Sequence, residues 1–250
     1  MYLYILNHPD QDRFDLSSLT RCTVGGQTMP VAKMEAVEIR FGCPLIELWG
    51  MTEVSGLGTT FPFPGTRVHG SIGRALPGTE CRIADPEDGT TTLAADEVGE
   101  LMVRGPVVMQ GYFGNEEETR AALERDGWLH TGDLARMDND GNVFIVDRKK
   151  DMILTAGYNV YPAELERVIA GHPDVALVAV GRASDELKGE IAKAYVVTRK
   201  GSTPSADDVL SFCREHLAAY KVPRVVQFVD DVPKTSTGNI LRRKLHTLDT

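Results

Sequence analysis

The sequence predicts an α/β layer followed by a separate α+β unit. Three observations carry that expectation: a strand–helix–strand alternation at the start, a change to short strands separated by Gly, Pro and Thr between Gly56 and Gly105, and a fresh mixture of amphipathic helices and paired strands after Lys150.

In the first part, LTRCTV (19–24) reads as a strand running into the Gly25-Gly26 turn. VAKMEAVEIRFG (31–42) has helical spacing with Gly42 as its stop, and PLIELWG (44–50) is a buried strand. Strand, helix and strand together predict a parallel crossover. The short strands that follow, TECRIA and GELMVRG among them, predict an antiparallel barrel or sandwich. EEETRAALERD (116–126) is helical in spacing, and GNVFIVD (141–147) is a strand after the DNDG turn. Beyond Lys150, PAELERVIAGHP (162–173) is a helix closed by Gly171 and Pro173, VALVAVG and IAKAYVVT are strands, and SADDVLSFCREHLAAY (205–220) is a helix with Ser205 as its N-cap. This second unit has roughly 100 residues, an ordinary domain size. The boundary falls at DRKKD, 147–151, and the chain carries neither an internal repeat nor a low-complexity segment.

With 250 residues, 42% hydrophobic and 25% charged, the chain buries a real core. A formal net charge of -9 argues against a general nucleic-acid binder, which shows a basic excess over a whole face. Cys22, Cys43, Cys81 and Cys213 are scattered with no CxxC pair, which suggests neither a zinc site nor a disulfide framework and predicts a reduced, cytoplasmic setting. MYLYILNHP lacks a basic lead-in and is broken by Asn7, His8, Pro9 and Asp10, so it does not read as a signal peptide. No apolar stretch approaches spanning length, so no integral membrane segment is expected.

Several short stretches carry chemistry, each with a plain structural alternative. WGMTE (49–53) sits where a buried strand ends, the place in open α/β sheets where an aromatic stacks on a base, a hydroxyl reaches a phosphate and a carboxylate holds Mg²⁺; an ordinary loop with a solvated Glu53 fits as well. GGQTMP (25–30) permits close backbone approach to a ligand, or is simply a turn. In GWLHTGD (127–133), Asp133 follows a Thr-Gly turn and suits the two hydroxyls of a ribose, although Asp is also a common turn former. His130 reads as structural. DRKKD offers Arg148 to a phosphate or ribose, or is a solvated linker.

Their order is more informative than any one of them. GGQTMP, WGMTE, GELMVRGPVVMQGYFG, GWLHTGD, VDRKKDMILTAGYNVYPAELE, LAAYKVP and PKTSTGNILRRKL form a series that resembles the adenylate-forming superfamily, specifically its acyl-CoA synthetases, the fatty-acid–CoA ligases. The resemblance runs the length of the chain and covers the C-terminal part of the family's pattern. It implies residues 1–147 as the C-terminal part of a large AMP-binding domain, with a βα layer and a small β-barrel, residues 148–151 as a hinge, and residues 152–250 as a small mobile α+β domain. It also implies a two-step reaction: a fatty or other carboxylic acid and MgATP give an acyl-adenylate and pyrophosphate, then the CoA thiol displaces AMP. ATP, Mg²⁺ and CoA are the implied cofactors.

By position, Trp49 would stack near adenine, Thr52 would contact the α-phosphate and Glu53 would hold Mg²⁺. Asp133 would bind the ribose hydroxyls with Arg148 in support, and Gly25 and Gly26 would line the adenine and acyl pocket. Lys150 would be the pivot of the small domain, and the loop around Gly157 would leave room for the pantetheine arm.

The sequence departs from the pattern twice. The family's phosphate loop, rich in Ser, Thr and Gly and ending in Lys-Gly, has no match here, so the resemblance implies a chain that begins inside the large domain. The family's tail carries a lysine directly after the Gly, and here Asn239 stands there, short and uncharged. Losing one donor to a phosphorus transition state costs about 3 kcal/mol or more, roughly a hundredfold in rate. The expectation is therefore an acyl-CoA ligase impaired at adenylation, or a non-catalytic piece that binds adenine nucleotide or a partner protein. Strands lacking sheet neighbours would also favour a homo-oligomer.

Overall fold

The computed structural model describes residues 1–26, 29–235 and 240–249. It divides into two compact units, Met1–Ile145 and Val146–Thr250.

In the first unit, helix α1 (Tyr2–Leu6) precedes strand β1 (Cys22–Val24), helix α2 (Val31–Phe41) and strand β2 (Leu45–Trp49). The two strands are parallel, with Val24 opposite Glu47, as the strand–helix–strand pattern requires. Helix α2 turns Met34, Val37 and Phe41 into a cluster with Cys43 and Leu45, one face of a helical repeat. It ends at Gly42, which adopts the left-handed conformation (φ +65°) and returns its N–H to the Glu38 carbonyl. Strands β3 (Thr59–Thr60) and β4 (Arg74–Ala75) complete a sheet in the order β1-β2-β3-β4.

Strands β5 (Glu80–Ala84) and β6 (Gly99–Arg104), helix α3 (Glu116–Ala122), and strands β7 (Leu129–Met137) and β8 (Val143–Arg148) follow. The barrel or sandwich expected of this stretch is an open four-stranded sheet, order β5-β6-β7-β8. Four strands are too few to close on themselves. The sheet covers its apolar face instead, packing Ile83, Leu101, Val103 and Leu129 against Trp49 and Val54. Helix α3 stops short of the predicted Asp126, because Leu123 pairs with Leu129 and the Glu124 N–H bonds the Trp128 carbonyl.

The second unit contains β9 (Ile153–Thr155), β10 (Tyr158–Val160), α4 (Pro162–Ile169), β11 (Val175–Asp185), β12 (Gly189–Thr198), α5 (Ala206–His216) and β13 (Val225–Phe228). A long antiparallel pair, β11 and β12, is its frame, with β13 parallel to β12 and β9 meeting it at Gly189. Alternation along the frame feeds two cores. Val178, Val180, Ala192, Ala194 and Val196 face the cluster that holds Leu165, Ile169, Val209 and Cys213, whereas Ala179 and Tyr195 face Val232 and Leu245. Among the described residues no helix is long and apolar enough to cross a membrane, and all four cysteines are free.

Ser205 caps α5 as predicted. Its hydroxyl accepts the Asp208 N–H at 3.1 Å while the Asp208 carboxylate accepts the Ser205 N–H at 2.8 Å. Ser205→Ala should lower the stability of this unit by about 1 kcal/mol, read as a lowered urea midpoint; an unchanged midpoint would mean that the reciprocal cap contributes nothing.

Candidate functional site

Strands β1 and β2 end side by side, and glycines decide what happens there. A Cβ on Gly25 would lie 2.5 Å from Leu48 Cδ1 and 2.7 Å from the Leu48 carbonyl oxygen, so only glycine allows the first turn to run this close to β2. Gly26 has φ +78°. Gln27 and Thr28 of the same motif lie outside the described residues. After β2, a Cβ on Gly50 would fall 2.1 Å from the Gly56 carbonyl oxygen, so the WGMTE segment folds back on itself. Within it, Thr52–Val54 makes a single 3-10 turn that leaves Thr52 exposed and Glu53 half-buried.

Glu53 is held at both ends. Its carbonyl accepts the Met109 N–H at 2.8 Å, and its Oε1 accepts the Tyr112 hydroxyl at 2.8 Å. Ser55 adds a bond from its hydroxyl to the Val107 carbonyl, 2.9 Å. The loop after β6 therefore braces the 3-10 turn, a partnership that no local pattern in the sequence announces.

Trp49 is buried at the end of β2. Its ring is only 8% exposed, it belongs to the apolar cluster of this unit, and a Cβ on Gly58 would lie 2.5 Å from the indole. Its contribution at the site is a donor: the indole N–H reaches Asp133 Oδ2 at 2.8 Å.

Asp133 is set by a bulge, not by the turn expected around Thr131-Gly132. Glu100 pairs with Leu134 and Met102 with His130, so Leu101 alone on β6 faces Thr131, Gly132 and Asp133 on β7. Gly132 has φ +71° and gives its N–H to Glu100 Oε1 at 3.1 Å. The Thr131 hydroxyl donates to the Leu101 carbonyl at 2.6 Å and accepts the Asp133 N–H at 3.1 Å. Glu100, 2% exposed, also lies 3.3 Å from His130 Nδ1, while His130 Nε2 is 3.2 Å from Glu124 Oε1. His130 thus sits between Glu100 and Glu124, and Glu100 is a residue that the sequence did not single out.

The second unit carries the remaining positions. Arg148 ends β8 and is exposed; the Lys150 carbonyl accepts a bond from the Arg182 guanidinium. Ala156 (φ +49°) and Gly157 (φ +84°) form the two-residue turn between β9 and β10, a conformation that favours glycine. A Cβ at Gly157 would meet nothing within 4 Å.

Asn239 lies outside the described residues. On either side of that segment, Lys234 and Ile240 form an isolated antiparallel bridge and the Leu241 N–H reaches the Pro233 carbonyl at 2.8 Å. Arg242 then enters a ring of three carboxylates: Glu166 at 2.6 Å, Asp151 at 3.2 Å and Asp147 at 3.9 Å. Asp147 Oδ2 also accepts the Ala163 N–H at the start of α4, 2.8 Å. Burial pushes the Glu166 and Asp147 carboxyls above their ordinary range, and Arg242 works against that rise.

Three comparisons place these features among known proteins. A family model described as "AMP-binding enzyme" matches residues 1–113, and one described as "AMP-binding enzyme C-terminal domain" matches residues 164–239. A long-chain-fatty-acid–CoA ligase of Bacillus subtilis is 40% identical over 245 residues, covering 98% of this chain and 43% of that protein. A long-chain-fatty-acid–CoA ligase of Yersinia pestis is 43% identical over 242 residues, with 96% of this chain and 42% of that protein covered. Among solved structures, ATP-bound MatB from Rhodopseudomonas palustris matches with a TM-score of 0.88 at 34% identity, over 99% of this chain and 49% of that one. The chain spans less than half the length of these curated relatives.

Two substitutions probe the architecture. Trp49→Phe leaves the buried Asp133 without its indole donor and should cost about 1–3 kcal/mol, followed through the remaining tryptophan, Trp128. A change within error would show that the bond does not hold the site. Arg242→Ala should cost about 1–3 kcal/mol at neutral pH, because buried Asp147 and half-buried Glu166 and Asp151 stay ionised without their cation. The Glu166 and Asp147 carboxyls have raised folded pKa values, so the folded state takes up protons more readily than the unfolded chain and the loss should shrink as pH falls through the carboxylate range. Urea midpoints at neutral and mildly acidic pH measure this; a loss that does not change with pH contradicts it.

Proposed function

Because the chain belongs to the adenylate-forming superfamily of AMP-binding enzymes, we propose that it carries the nucleotide-facing part and the C-terminal domain of an acyl-CoA ligase. The reaction joins a fatty or other carboxylic acid to CoA. The acid's carboxylate attacks the α-phosphorus of ATP and pyrophosphate leaves; the CoA thiol then attacks the acyl carbon and AMP leaves. The observation that carries this reading is the convergence, at the carboxyl ends of two parallel strands, of a glycine turn at Gly25-Gly26, the braced Glu53 and a carboxylate, Asp133, fixed by the Trp49 N–H.

In this reading Asp133 takes the ribose hydroxyls, Thr52 the α-phosphate, and Arg148 supports the nucleotide. Gly25 and Gly26 line the adenine and acyl pocket. Lys150 is the pivot of the C-terminal domain, and the open space beside Gly157 admits the pantetheine arm. The donor set suits Mg²⁺ brought in with the nucleotide: among the described residues no three His, Cys, Asp or Glu side chains converge on a common point, so Glu53 would supply one carboxylate and phosphates would supply the rest. When bound, the ion would neutralise phosphate charge. A cytoplasmic location fits four free cysteines.

Asn239 supports a second reading, a chain that binds adenine nucleotide without activating an acid. An uncharged side chain there leaves the phosphorus transition state without a cation and costs roughly a hundredfold in adenylation rate. AMP release with MgATP, CoA and a panel of fatty acids, on this chain and on Asn239→Lys, separates the two. Release that appears only with the lysine supports a ligase disarmed at one position. ATP binding by calorimetry without AMP release from either protein supports the non-catalytic reading, and no nucleotide binding by either removes both.

A further inference from the structure

We propose that Tyr112 is the positioning residue for Glu53, fixing that carboxylate with one oxygen engaged and the other presented to a nucleotide-bound divalent cation. The inference rests on the ligase reading and adds a residue to it.

The contact is specific to one oxygen. The Tyr112 hydroxyl donates to Glu53 Oε1 at 2.8 Å, while Oε2 has no hydrogen-bond partner among the described residues. A glutamate side chain has three rotatable bonds, and a free one spends its time in several rotamers, of which few point at a given metal position. With its carbonyl pinned by the Met109 N–H and its Oε1 by the phenol, Glu53 is tied at its backbone and at one carboxylate oxygen.

Tyr112 is itself held, which a bystander would not be. Its N–H donates to the Thr119 hydroxyl at 2.9 Å, and that hydroxyl donates in turn to the Asn115 carbonyl at 2.8 Å. Asn115 caps α3, its side chain accepting the Glu118 N–H. Gly111 next to it has φ +145°, and a Cβ there would lie 2.7 Å from Thr119 Cγ2, so the loop reaches the helix only because residue 111 is glycine. Helix α3 is thereby connected through Thr119 and Tyr112 to the Glu53 carboxylate, across 59 positions of sequence. A residue that orients a metal ligand typically changes metal affinity by about 10–100-fold when removed.

The test is calorimetric ATP binding by the chain and by Tyr112→Phe across a Mg²⁺ titration, with a thermal melt of each. The substitution removes one oxygen and keeps the ring. The expected result is a Mg²⁺ midpoint raised about tenfold with metal-free ATP binding unchanged. In a Glu53→Gln background the same substitution should move the midpoint no further. An unshifted midpoint in Tyr112→Phe, an equal loss of metal-free ATP binding, or additive effects with Glu53→Gln would each overturn the proposal. Absence of ATP binding by the unsubstituted chain at every Mg²⁺ concentration would instead overturn the ligase reading on which it rests.

Discussion

A carboxylate buried in an apolar core has to be met by donors, because the loss of water is otherwise uncompensated. In the first unit Asp133 is met by the Trp49 indole, from a residue 84 positions away and in another sheet. Much of the local architecture follows from keeping that pair. The indole reaches its position because Gly58 has no side chain. Asp133 reaches its own because β7 bulges at Gly132, and the bulge persists because Glu100 and the Thr131 hydroxyl take up the polar groups it frees. The pair thus fixes the end of β2 against the middle of β7.

The second unit meets the same constraint with the signs exchanged. Arg242 is the half-buried cation, and Asp147, Asp151 and Glu166 converge on it. Removing water from so many charges is costly, and an arginine compensates only when its fork is filled, as it is by the paired contacts to Glu166. Asp147 serves twice, as a partner of Arg242 and as an acceptor at the start of α4. One cation therefore gathers the segment after β8, the first helix of the unit and the residues that follow position 239.

The sequence revealed those features that depend on local chemistry. Gly42 closing α2, Ser205 opening α5 and the parallel crossover were all readable, because a cap or a period is written within a few residues. The order of short motifs identified the family for the same reason. Features set by distant partners were not readable. Helix α3 was expected to continue to Asp126, but the Leu123–Leu129 pairing ends it. The Thr-Gly step before Asp133 looked like a turn and is a bulge within a strand, since nothing local marks Glu100 as the group that receives the Gly132 N–H. Trp49 looked available for stacking, and only the neighbouring Gly58 shows why its ring is buried. Tyr112 falls within GELMVRGPVVMQGYFG, but its tie to Glu53 was not readable, because that partner lies in another loop.

The departure at Asn239 takes on a definite meaning in this setting. The residues that hold the two ends of that segment keep their partners: Lys234 pairs with Ile240, Leu241 bonds Pro233, and Arg242 sits among its carboxylates. These anchors are backbone bonds and a half-buried ion pair, and none of them involves the side chain at 239. Exchanging a lysine for an asparagine there subtracts a positive charge and about two bonds of reach while leaving the supports in place. The exchange at 239 therefore acts through charge and reach at that position rather than through these supports.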